Sequence, residues 1–308
     1  MDLTGIIPSL SVWKWGRKDG SASPRPTVHG RRCRPAIIHR LIRLIFLPLA
    51  VIGCTADSLV LPANHEPIDP AGARRHMIRV AGRAVECWIA RSPGAAGREP
   101  EAFVLFFIGK GDRVDRLIMS VANGWGRWPV ELWGMNYPGS GGSTGPPKLA
   151  QVTPDALVAY DALRQVAGPR PIFVQGGSFG SVAALSVAAR RPVAGLVLQN
   201  PPPLRQLIMG HYGWWNLWLV AGAVATHLPR DLDSLDNAAH SAAPAIFILS
   251  GADKVIPPRY HRLVVNAYAG PKRVIEMPGA RHNDPLTREA AQRLAEDMTW
   301  LWRASGPL

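Results

Sequence analysis

Short apolar runs broken by polar turns, alternating from residue 102 onward with segments of helical period, set the organisation of this chain. The runs 77–80, 84–90, 102–108, 131–136, 171–175, 193–199, 244–250 and 272–277 have the length and the β-branched or aromatic content of strands. Helical patterns at 154–166, 181–190, 258–268 and 284–302 separate the later runs. Strands alternating with helices predict an α/β fold with a mostly parallel, doubly wound sheet. The closely spaced early runs predict an antiparallel hairpin at one edge.

Two apolar stretches stand outside that alternation. Residues 44–53 (LIFLPLAVIG) carry no charge and follow a basic, turn-rich segment containing Arg31, Arg32, Arg34, Arg40 and Arg43. That is signal-peptide length, short for a bilayer span. The stretch ends in Val51-Ile52-Gly53-Cys54, which resembles a bacterial lipobox and makes Cys54 a candidate lipidation site. An uncleaved membrane anchor and a hydrophobic surface helix are the other readings. The second stretch, 204–228, follows Asn200-Pro201-Pro202-Pro203 and contains Trp214, Trp215 and Trp218. It reads as a helical lid insertion spanning 200–240, suited to an acyl or other apolar group, or as a packing helix. The expected organisation is a leader over 1–53, a tether over 54–78 and one domain over 79–308.

Chemistry concentrates at the carboxyl ends of three predicted strands. Gly176-Gly177-Ser178-Phe179-Gly180 is a Gly-x-Ser-x-Gly sequence between an apolar β run and a small-residue helical run. A strand entering a helix that abruptly strains its central residue and exposes its hydroxyl, and glycines are needed where a Cβ would collide. A serine hydroxyl needs a base, and the base needs a carboxylate to fix its tautomer. Asp253 lies in the loop after 244–250 and His282 in the loop after 272–277, in the order serine, acid, histidine. Asp233, Asp236 and Asp284 are the other acid candidates.

Taken together, Gly-x-Ser-x-Gly, then Ser250-Gly251-Ala252-Asp253-Lys254-Val255-Ile256-Pro257, then Pro278-Gly279-Ala280-Arg281-His282-Asn283-Asp284 resemble the α/β-hydrolase superfamily. Within it, the chain is most similar to the membrane-associated serine hydrolases of the alpha/beta hydrolase domain-containing group. The resemblance covers roughly residues 80–302. It implies catalysis by Ser178, His282 and Asp253, with an oxyanion hole from the N–H of Phe179 and that of Lys110 in the loop after 102–108. There Ile108 stands where relatives carry histidine, which removes a support of that loop. The glycine-rich segment Tyr137-Pro138-Gly139-Ser140-Gly141-Gly142-Ser143 matches a further family loop and reads as structural. It lacks the lysine and Ser/Thr of a phosphate-binding loop at the required spacing.

Composition narrows the picture. Nine of the 35 Lys and Arg lie before Cys54 against two acidic residues, so +7 of the formal +13 belongs to the leader and +6 to the rest. That remaining excess suits an anionic surface or substrate, or simple solubility. No zinc spacing, helix-turn-helix or aromatic-interleaved basic stripe is present, so nucleic acid is not an expected partner. Of the three cysteines, Cys33 and Cys54 fall in or at the end of the leader and Cys87 is alone in the body, so no intrachain disulfide is expected. The expectation is a lipid-anchored cell-envelope serine hydrolase acting on a small-molecule acyl substrate without a cofactor. An ester is the first substrate class; a thioester, an amide and acyl transfer use the same residues. A non-catalytic envelope protein using the fold to bind is the reading from a different class.

Overall fold

The computed structural model describes residues 57, 60–80, 82–213 and 219–304. The expected leader over 1–53, Cys33, Cys54 and Trp214, Trp215 and Trp218 lie outside the described residues. Among the described residues, no helix is long and apolar enough to cross a membrane.

The described residues form an eight-stranded sheet in the order β1-β2-β4-β3-β5-β6-β7-β8. The strands are β1 (Arg74–Val80), β2 (Arg83–Arg91), β3 (Ala102–Phe107), β4 (Val130–Met135), β5 (Ile172–Gly177), β6 (Gly195–Gln199), β7 (Ala245–Ser250) and β8 (Lys272–Met277). β1 and β2 form the antiparallel hairpin, β2 joins β4 antiparallel, and all remaining pairs are parallel. Every residue of β3, β4, β5, β6 and β7 is buried. That is why these strands read as continuous apolar runs rather than alternating ones: helices cover both faces. The edges are different. β1 brings Arg74, Arg75 and Arg79, and β8 brings Lys272 and Arg273, to positions that are mostly exposed. Charge on an edge strand opposes pairing with another chain.

The crossover helices are α1 (Val114–Gly124), α2 (Val152–Ala167), α3 (Phe179–Ala188), α6 (Ser234–Ala239), α7 (Pro258–Ala267) and α8 (Arg288–Ala304). Between β6 and α6 come the short α4 (Leu204–Leu207), continued by a π-helical turn over Ile208–Tyr212, and α5 (Leu219–His227). α2 packs on α3, α3 on α6 and α6 on α7, while α1 lies against β2 and β4 and α8 against β6, β7 and β8.

Three boundaries differ from the sequence expectation. The domain begins before residue 79: β1 starts at Arg74, Leu61 is buried in the core, and Asn64 bridges Ser140 and donates from its side chain to the Gly111 carbonyl. The expected tether is therefore, from residue 60 on, packed chain, because an apolar Leu61 and a hydrogen-bonding Asn64 gain more from the domain than from water. The insertion over 200–240 is not all lid, since Leu228, Leu232 and Ala238 join the main core and α6 is part of the helix layer. Finally, α1 fills the stretch between β3 and β4, where no helix was expected.

Candidate functional site

β5 runs straight into α3 through Ser178, which takes φ 52° and ψ −125°, a left-handed region that L-residues avoid. The surroundings hold it there. Its N–H donates to the Gln199 carbonyl of β6 (2.8 Å), and the Ser181 hydroxyl donates back to the Gly176 carbonyl (2.8 Å). A Cβ on Gly176 would stand closer than 3.0 Å to the Gly180 carbonyl, and one on Gly180 equally close to the Phe107 carbonyl of β3. The two glycines of the motif are thus demanded by close backbone approach.

His282 and Asp253 arrive from neighbouring loops. Nε2 of His282 is 3.1 Å from Oγ of Ser178, and Nδ1 is 2.6 Å from Oδ2 of Asp253. The chain of groups runs from a fully buried carboxylate to an imidazole 13% exposed and a half-buried hydroxyl. Oδ1 of Asp253 accepts the N–H groups of Val255 (2.8 Å) and Ile256 (2.9 Å), which fixes its plane. Burial alone would raise the pKa of Asp253. The His261 and His282 imidazoles and the Ile256 N–H outweigh it and hold the carboxyl well below its ordinary range. The other acid candidates have partners of their own. Asp233 caps α6 by accepting the Leu235 N–H, Asp284 accepts the Arg281 N–H, and Asp236 is exposed beside His240.

Phe179 begins α3, where an N–H has no carbonyl one turn back to bond. Lys110 lies in the turn after β3, its side chain exposed, with partial desolvation lowering its ammonium pKa. The support that Ile108 does not supply comes from elsewhere. The buried Tyr137 donates its hydroxyl to the Ile108 carbonyl (2.8 Å) and packs edge-on against the Phe179 ring at 5.4 Å. One side chain therefore braces the two loops that carry Phe179 and Lys110.

The glycine-rich loop after β4 is tied down by a buried carboxylate. Glu86 accepts from the Gly142 N–H (2.8 Å), from Asn136 Nδ2 (2.7 Å) and from Arg75 Nε (2.5 Å). Burial pushes the Glu86 pKa up, and those three donors together bring it below the ordinary value. Asn136 also accepts the Val114 N–H (2.9 Å), capping α1.

Sequence reasoning missed Tyr137 as a brace, and it missed Asn200 altogether. Asn200, at φ 48° just beyond β6, bonds Ser250 through its amide oxygen to N–H (2.8 Å) and its amide nitrogen to Oγ (3.0 Å), and donates to the His282 carbonyl (3.2 Å). An asparagine before three prolines, tolerant of the left-handed region, was the available signal.

No family model matches the chain. It is 31% identical over 247 residues to an uncharacterized protein of Mycobacterium tuberculosis, a match covering 79% of this chain and 80% of that one. It is 27% identical over 135 residues to lysophosphatidylserine lipase ABHD12 of Danio rerio, covering 40% of this chain and 35% of that protein. Among solved structures, Est1E from Butyrivibrio proteoclasticus superposes with a TM-score of 0.60 at 13% identity, covering 74% of this chain and 99% of that one. This sheet order and this elbow are those of the α/β-hydrolase fold, and the chain belongs to one family with the uncharacterized Mycobacterium tuberculosis protein.

Proposed function

We propose that the protein is a serine hydrolase that cleaves a carboxylic ester through an acyl-enzyme. The hydrogen-bonded run Ser178–His282–Asp253, starting from a strained elbow, carries this reading. Ser178 Oγ attacks the acyl carbonyl as His282 Nε2 takes its proton, and Asp253 keeps the Nδ1–H of His282 in place. The N–H groups of Phe179 and Lys110 stabilise the oxyanion. His282 then protonates the departing alcohol, and water, deprotonated by the same nitrogen, releases the acid. The apolar insertion after β6 and the likeness to a lipase over part of the chain support an acyl group in the substrate. The lipobox-like Cys54 supports anchoring at the cell envelope, and mass analysis of the N-terminus in wild type and Cys54→Ala tests it. An unprocessed, unlipidated wild-type chain overturns the anchor.

The test of function is turnover of p-nitrophenyl esters of graded acyl length by wild type, Ser178→Ala and His282→Ala. Hydrolysis lost in both variants is the expected result. No turnover by a folded wild type that also resists a fluorophosphonate overturns the proposal in favour of a binding module.

A further inference from the structure

The acid of the site has a second histidine against it. His261, on α7, is fully buried, and its Nε2 stands 3.2 Å from Oδ2 of Asp253. That is the same oxygen that takes Nδ1 of His282. Neither ring nitrogen of His261 has an aligned hydrogen-bond partner among the described residues, so its N–H points off the line to the carboxylate. Packing does not call for this residue type: a leucine would fill a comparable volume without placing two polar atoms out of water. The carboxylate, by contrast, has a use for it. Oδ1 is taken by the Val255 and Ile256 N–H groups, and Oδ2 spends one lone pair on His282, which leaves one acceptor position beside His261.

We propose that His261 is a positioning residue of the proton relay, its Nε2–H directed at Oδ2 of Asp253 so that the carboxylate is held from α7 while its other lone pair stays on His282. The proposal rests on the serine-hydrolase reading above. It assigns a specific task to the second donor. When His282 receives the serine proton, the Nδ1 proton is drawn toward Asp253. A carboxylate oxygen already bonded to a second N–H is a weaker base, so the Nδ1 proton stays on the imidazole, which remains a cation able to give its Nε2 proton to the leaving group. The 3.2 Å separation is within hydrogen-bond reach, and α7 carries the ring that makes it.

The experiment compares wild type, His261→Leu and His261→Gln in the full chain. Glutamine keeps an N–H near the position of Nε2, and leucine keeps only the volume. With p-nitrophenyl butyrate, His261→Leu should lower kcat about tenfold or more with KM little changed, and His261→Gln should restore most of it. Wild-type kcat in the leucine variant, or an equal loss in both variants, would overturn the proposal, because volume alone would then account for the residue. A second measurement stands even if His261→Leu fails to fold. In wild type labelled with 15N-histidine, the signal absent from His261→Gln should report a proton bound to Nε2. A proton on Nδ1 alone, leaving a lone pair toward Asp253, would overturn the proposal. If wild type neither turns over the ester nor reacts with a fluorophosphonate, the hydrolase reading fails, and the nitrogen spectrum still decides whether His261 donates to Asp253.

Discussion

Ser178 stores backbone strain where its hydroxyl is needed. A non-glycine residue held at φ 52° and ψ −125° costs about 1–3 kcal/mol, sustained by the bond to Gln199 and the tight packing of α3 on β3. Ser178→Gly should therefore stabilise the protein by about 1 kcal/mol over Ser178→Ala, which keeps the Cβ, while both lose reactivity. Urea unfolding midpoints decide this, and equal stability of the two variants would contradict the strain. At the acid, Asp253→Asn should keep the fold and lower kcat by about 10⁴, because the amide favours the wrong tautomer of His282. A loss below tenfold in steady-state kinetics would refute its role. Ser178, Asp253 and His282 were legible because each sits in a short contiguous motif at a strand end. Asn200 was not, since it acts on a group far along the chain, 82 residues away at His282, and His261, though near Asp253 in sequence, sits inside a helix and outside any motif.

At the scale of elements, the loop after β3 and the start of α3 are held in register by a tyrosine from a third segment. Tyr137→Phe removes the hydroxyl bond to Ile108 and keeps the ring contact with Phe179. It should lower kcat about tenfold with little change in KM, since the proposed oxyanion donors would act only on the developing charge. Equal falls in kcat and stability-limited active fraction, measured by titrating active sites with a phosphonate, would instead mark Tyr137 as a packing residue. The same distance argument explains the missed α1. Its apolar positions Val114, Ile118, Val121 and Ala122 are helical in spacing, yet the residue before it, Arg113, offers no side-chain cap. The cap is Asn136, 22 residues on, so the start signal is absent locally. The parallel strands, by contrast, were legible almost to their ends because burial on both faces leaves an unbroken apolar run.

For the whole molecule, buried carboxylates set the response to acid. Glu86 and Asp253 both have folded-state pKa values below their ordinary ones. Each binds protons more readily when unfolded, so its contribution is complete above the ordinary carboxylate range and is lost as pH falls from there toward the lowered value. Asp155, raised by burial despite the Arg83 contact, works in the opposite sense. Glu86→Gln should cost about 1–3 kcal/mol at pH 7 and flatten the decline in stability between pH 5 and 3. Parallel pH profiles for the variant and wild type would show that Glu86 is not the source.

The proposed chemistry begins with activation of Ser178 by His282. The most direct measurement incubates the folded 308-residue protein with a fluorophosphonate and locates the adduct by peptide mass, alongside Ser178→Ala and His282→Ala. An activated Ser178 should give a single adduct at that residue in wild type, none in Ser178→Ala, and labelling slowed by orders of magnitude in His282→Ala. An adduct on another residue, or labelling of Ser178 that does not depend on His282, would contradict it.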